Sequence, residues 1–184
     1  DRKIKFLLDI RGYFFVNKIK GDYVEFGVFN GEMIYCANQI FKNKYNFTKY
    51  IGLDTFEGTP LKKNNDKINK YISKGDYKSS IKNVKKDLSN IKNLELIKGD
   101  FREKIVSKKF QSIKPKISLL VIDCNLLSSI NSSLNLGFKY VVNGSVLYFD
   151  DMYVSQSNSL KIKDQLNKIA KKHHLVLEPY MFYP

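Results

Sequence analysis

The 184-residue chain is short of cysteine, histidine, arginine and proline, and each shortage removes a class of explanation. Its two cysteines, Cys36 and Cys124, lack CxxC spacing, so they make neither a zinc site nor a disulfide framework. Both are read as reduced thiols, and the compartment as cytoplasmic. The two histidines are the adjacent pair His173-His174 at the end of a lysine-rich helix, where imidazole suits the C-terminal dipole better than it suits a metal. No apolar run approaches the length of a membrane span, and no secretory signal is visible. Four prolines and ten glycines gather into no linker, and there is no internal repeat. Residues 1–184 therefore read as a single domain, large enough for a sizeable core. The chain opens on Asp1 rather than Met, so its natural N-terminus is expected upstream.

What the chain has in excess is lysine. The formal charge is +14, yet of 32 basic residues only Arg2, Arg11 and Arg102 are arginine. Bidentate recognition of phosphate and guanine favours arginine. The lysines are scattered rather than gathered, which favours a solvated surface over a nucleic-acid face.

Apolar periodicity alternates between helix and strand. Ile4, Leu7, Leu8, Phe14 and Phe15 form a helical stripe over Lys3 to Asn17. A strand follows at Tyr23 to Val28, then a helix starting near Asn30, a good N-cap residue, and burying Ile34, Ala37 and Phe41. Further strands are read at Tyr50–Leu53, Leu94–Ile97, Ile117–Ile122, Ser145–Phe149 and Leu175–Leu177. Between them lie a helix burying Ile81, Val84, Leu88 and Ile91, a short helix or turn at Arg102–Lys109, a helix at Ser128–Tyr140, and one burying Leu160, Ile162, Leu166 and Ile169. The run Ile117–Ile122 is continuously apolar, as in a strand covered on both faces. The alternation predicts an α/β fold, Rossmann-like, with a mostly parallel central sheet and helices on both faces.

The acids fall in a pattern. Glu25, Asp54, Asp100, Asp123, Asp150 and Asp151 all stand at or just past the C-terminal ends of predicted strands, the edge where open α/β sheets bind ligands. The turn Glu25-x-Gly27-x-x-x-Gly31 lets backbone pass close to a ligand. A dinucleotide site needs G-x-G-x-x-G around a pyrophosphate. Glu25 at the first position would repel a pyrophosphate but tolerate a sulfonium and its ammonium, which favours S-adenosylmethionine. Asp54 can accept from both ribose hydroxyls. Asp100 can take the adenine amino group with Phe101 beside the ring, or can act as a helix cap. Asp123, Asp150 and Asp151 end two strands expected to be neighbours. Three unpaired carboxylates would repel, and a hard divalent cation such as Mg²⁺ relieves this. That cation could lower the pKa of a substrate hydroxyl, whose proton a carboxylate then takes.

With these residues assembled, the chain resembles the class I S-adenosylmethionine-dependent methyltransferases, and within them the TylF/macrocin O-methyltransferase family. The resemblance is carried by VEFGVFNG (Val24–Gly31), YIGLDTFEGTP (Tyr50–Pro60), ELIKGDF (Glu95–Phe101), LLVIDCNLLSS (Leu119–Ser129) and NGSVLYFDDMY (Asn143–Tyr153). It implies O-methylation of a small-molecule hydroxyl, often on a sugar of a natural product or polysaccharide precursor, with Mg²⁺. It also implies cofactor contacts from Glu25, Gly27, Phe29, Gly31, Asp54, Thr55, Asp100, Phe101 and Asp123. Metal ligation would come from Asp123, Asp150 and Asp151, with Asp123 a candidate base.

There are departures. The family's D-x-D-x-Y reads Asp123-Cys124-Asn125-Leu126-Leu127 here, and Asn143-Gly144 replaces paired glycines. Few residues follow Leu177, too few for the last, antiparallel strand of this fold, so the chain is expected to be a fragment of a longer protein. Two rivals stay open: a degenerate protein that binds S-adenosylmethionine without turnover, motivated by Asn125 and Leu127, and an RNA methyltransferase, motivated by the charge. The Lys-rich stretch Leu61–Asp76 reads equally as a substrate lid or a plain surface loop. The sequence leaves the oligomeric state open, though such domains often pair as homodimers.

Overall fold

Near-continuous apolar runs along the central strands, buried on both faces, set the architecture. In the computed structural model, which describes residues 2–43, 45–61, 66, 72–150 and 156–180 (backbone alone for 156–161), five strands form one sheet. These are β1 (Asp22–Phe26), β2 (Tyr50–Asp54), β3 (Leu94–Lys98), β4 (Ile117–Ile122) and β5 (Val141–Phe149). Their order is β3-β2-β1-β4-β5, and every neighbouring pair is parallel. The chain therefore starts mid-sheet, winds outward to β3, then crosses back to β4. The order reverses beside β1, and a crevice opens at the C-terminal ends of β1 and β4.

Successive side chains on a strand point to opposite faces, and both faces are apolar. Val24 and Phe26, Ile51 and Leu53, and Leu120 and Ile122 pack on one face. That face is covered by α4 (Lys104–Ile113) through Val106 and Phe110, by α5 (Leu127–Gly137) through Ile130 and Leu134, and by α6 (Gln156–Lys172) through Ile162, Leu166 and Ile169. Tyr23, Tyr50, Leu119 and Val121 face the other way. There α1 (Arg2–Val16) contributes Phe6, Leu7, Ile10 and Phe14, α2 (Glu32–Phe41) contributes Ile34, Ala37 and Phe41, and α3 (Ile81–Asp87) contributes Val84. All six residues of β4 are buried. Each fully buried Leu, Ile or Phe is worth about 1.5–3 kcal/mol relative to exposure, so the two layers lock the strand register and with it the crevice.

The structure differs from the sequence expectations at element ends. Gly31, not Asn30, is the residue before α2, with φ of 83°. Asn30 instead accepts the Glu32 amide through its side-chain oxygen at 3.3 Å. Leu88 and Ile91 are buried as expected but lie beyond α3, in the turns that follow it. Strand β5 begins at Val141, so Asn143-Gly144 lie inside it, at a register shift against β4.

The strand expected at Leu175–Leu177 is not formed; residues 175–180 are without regular structure. The reason is a helix cap. His174 takes a left-handed conformation (φ 54°), its amide donates to Lys171 O, and the Leu175 amide donates to Ala170 O. This is a Schellman closure of α6, in which the apolar residue just past the cap packs back on the core. Leu175 does so, while Val176 is 86% exposed. The apolar signal belonged to a helix cap rather than a strand.

Candidate active site

A cleft of about 230 Å³ lies across the C-terminal ends of the strands. Its base is built by backbone that only glycine permits. Gly27 follows β1 with φ of 94°, and a Cβ there would stand 2.0 Å from the Asp123 carbonyl oxygen. The chain thus leaves β1 pressed against the end of β4, where the Asp123 amide donates to Phe26 O at 2.9 Å.

Asp54 ties two loops together from the end of β2. One carboxylate oxygen accepts the Phe29 amide at 2.8 Å and the other the Phe56 amide at 2.7 Å. These bonds hold Phe29 and Phe56 in left-handed conformations, φ 50° and 56°. Thr55 donates to Gly58 O at 2.8 Å, closing the same turn. Gly27, Phe29, Asp54 and Thr55 all line the cleft, with Tyr77 set edge-on to Phe29 at 5.9 Å.

Asp100 and Phe101 line the far wall. The Asp100 carboxylate is held in a fork by Arg102, at 2.9 Å from Nε and 2.6 Å from a terminal nitrogen, and it also accepts the Arg102 amide at 2.9 Å. Glu103, not Asp100, is the residue before α4, so of the two roles expected for Asp100 the helix cap is not formed and the carboxylate is a wall residue held by Arg102. Arg102 goes on to donate to Ser128 Oγ at 2.9 Å and lies 3.8 Å from Asp66, whose side chain is fully buried. Asp66 in turn accepts the Ser128 amide and hydroxyl at 2.7 and 2.8 Å. The rest of the expected lid is mostly outside the described residues.

Among the described strand-end acids, one stands apart from the cleft. Glu25 does not line it. It is buried behind Gly27, accepting the Tyr23 hydroxyl at 2.6 Å. Burial pushes its carboxyl well above the usual range, with the negative charges of Asp123 and Asp54 adding to the shift and Tyr23 and Lys3 opposing it. Gly31 is likewise outside the cleft, against Val84 and Leu88. Asp151 lies outside the described residues.

Asp123 and Asp150 do meet, since β4 and β5 are adjacent, and both line the cleft. Between them stands Lys3 from α1. Its ammonium is 2.6 Å from Asp123 and 3.9 Å from Asp150. Burial works against that charge, but the hydrogen bond and charge of Asp123, reinforced by Asp150 and Glu25, hold the Lys3 pKa above its ordinary value. Asp150 also accepts the Tyr148 hydroxyl at 2.8 Å. Among the described residues no group of three His, Cys, Asp or Glu side chains is placed to hold a metal ion.

Sequence reasoning passed over Lys3, Arg102 and Tyr148. The last two were within reach: Arg102 follows Asp100 by two residues, and Tyr148 precedes Asp150 by two on one strand face. Lys3 carried no such signal, because only the docking of α1 brings it to the acids.

The sequence model of the macrocin-O-methyltransferase (TylF) family matches residues 1–175. The chain belongs to this O-methyltransferase family. Its fold is similar to that of the calicheamicin methyltransferase CalS11, with a TM-score of 0.68 at 20% identity over 91% of this chain and 70% of that one. It is also similar to the O-methyltransferase NovP, with a TM-score of 0.65 at 16% identity over 95% and 73%. An apo structure of CalS11, described as a TDP-rhamnose 3'-O-methyltransferase, gives 0.58 at 21% identity over 91% and 69%. No curated protein matches the sequence. At these identities the likeness is one of fold. Of the two departures from the expected motif, Asn125 lies in the cleft wall and Leu127 does not line the cleft. No described helix is long and apolar enough to cross a membrane.

Proposed function

We propose that this member of the TylF family transfers the methyl group of S-adenosylmethionine to a hydroxyl of a small molecule, a sugar of a natural product or polysaccharide precursor. The observation that carries the reading is the convergence of Gly27, Asp54, Asp100 and Asp123, from four separate strand ends, on one cleft. The sugar-methylating neighbour CalS11 supports the acceptor class.

In this reading Asp54 receives the ribose hydroxyls. The oxygen that accepts the Phe29 amide keeps a second acceptor position, while the one that accepts the Phe56 amide also has the Thr55 hydroxyl at 3.4 Å. Phe29, Thr55, Asp100 and Phe101 complete the cofactor's surroundings. Glu25 and Gly31 act indirectly, by shaping the turn. The acceptor oxygen forms its bond to the methyl carbon as the carbon–sulfur bond breaks, and its proton passes to the Asp123 carboxylate. General base catalysis of this kind is worth roughly 10²–10⁴-fold.

Asp123 and Asp150 suit a hard divalent cation. They are oxygen donors on neighbouring strand ends, and the Lys3 ammonium seated against them accords with a pair that attracts positive charge. They would hold Mg²⁺ together with Asp151, and the ion would supply charge neutralisation and Lewis acidity to the acceptor hydroxyl. A methyl-transfer assay over nucleotide-linked and glycosidic deoxysugars tests the reading. Asp123→Asn should lose at least 100-fold in kcat while binding S-adenosylhomocysteine within a few-fold of the parent. Retained turnover in that variant would remove Asp123 as the base.

A further inference from the structure

We propose that Lys3 is a built-in counter-cation of the Asp123–Asp150 pair, and that a divalent cation reaches these carboxylates only by displacing it. The inference rests on the reading of that pair as the cation site.

The ammonium is placed by the fold, not by chance contact. Helix α1 is anchored on the sheet by Phe6, Leu7 and Ile10, which are 4%, 0% and 0% exposed. The Phe6 ring packs on Tyr148 with centroids 4.5 Å apart, and the Tyr148 hydroxyl donates to Asp150. One helix therefore fixes Lys3 and, through Phe6 and Tyr148, also touches the carboxylate that Lys3 approaches. The side chains of Lys3, Asp123 and Asp150 are 33%, 23% and 32% exposed, so solvent and ions reach them.

Charge makes the two cations exclusive. Lys3 brings the two carboxylates from a formal charge of −2 to −1. A divalent ion bound between the same oxygens would sit a few ångströms from the ammonium, close enough for repulsion to persist even where solvent partly screens it. Lys3 has a flexible four-carbon stem and can swing its strongly hydrated head into water. The expected consequence is a weakened affinity for divalent ions in the absence of acceptor, with half of the pair's charge offset by lysine in the resting protein.

The test is direct binding of Mn²⁺ to the full chain, followed by loss of the free-ion electron paramagnetic resonance signal. Lys3→Met keeps the stem and removes the charge, and Lys3→Gln is a second replacement in case the first unfolds. Either folded variant should bind Mn²⁺ at least 10-fold more tightly than the parent. Unchanged or weaker binding overturns the inference. Asp123→Asn and Asp150→Asn locate the failure. If they abolish Mn²⁺ binding while Lys3→Met leaves it unchanged, the pair is the cation site and the role of Lys3 is wrong. If they leave binding intact even in the Lys3→Met background, the reading of the pair itself fails.

Discussion

Gly27 and Asp123 meet backbone to backbone at the base of the cleft, so close that a Cβ on Gly27 would lie 2.0 Å from the Asp123 carbonyl oxygen. The glycine that begins the cofactor turn is therefore also the contact that sets the end of β4, and with it the position of the candidate base. Gly27→Ala combines this clash with a φ of 94°. It should cost about 3 kcal/mol or more, measured by urea unfolding, and should lose S-adenosylhomocysteine binding with it. A loss below 1 kcal/mol would mean that the two strand ends are less tightly joined than the structure has them.

Arg102 is the keystone of the far wall. Its side chain is 6% exposed and serves Asp100, Ser128 and the fully buried Asp66. Removing one partner of a buried charge network costs about 3–5 kcal/mol, so Arg102→Ala should lower unfolding stability by that order. Arg102→Lys should recover only part of it, because a single ammonium cannot fork Asp100 and still reach Ser128. Full recovery by lysine would show that charge alone, without the fork, holds the wall.

Glu25 predicts a pH signature. Its folded carboxyl is shifted up, with burial as the first cause. The native state therefore keeps a proton that the unfolded chain has already released above its own pKa. Stability from this group is fully present below the unfolded value and is lost as pH rises towards the folded value. Glu25→Gln keeps an oxygen for the Tyr23 hydroxyl and removes the titration. Relative to the parent it should gain up to about 1.4 kcal/mol per pH unit across that window, read from urea unfolding at several pH values. A difference independent of pH would refute the shift.

Much of this was legible in the sequence where one residue type has one physical use. The continuous apolar run of β4, the acids closing each strand and the glycine turn after β1 needed no tertiary information. Element ends were harder, because Leu175 as a helix-closing contact and Leu175 as a strand residue look alike in a short apolar run. The site was legible in its acids and not in their partners. Glu25 sits one residue from β1's end, where alternation turns it away from the cleft and into the sheet face beneath α1. Lys3 is 120 residues from Asp123 in the chain, and no local spacing joins them.

The claim that the cleft is an S-adenosylmethionine site is tested most directly by calorimetric titration of S-adenosylhomocysteine into the parent chain and into Asp54→Ala. That substitution removes the acceptor of the Phe29 and Phe56 amides as well as the proposed ribose partner. Saturable binding to the parent is expected, weakened at least 30-fold in a folded Asp54→Ala. The absence of any binding to the folded parent, or equal binding to both proteins, would contradict it.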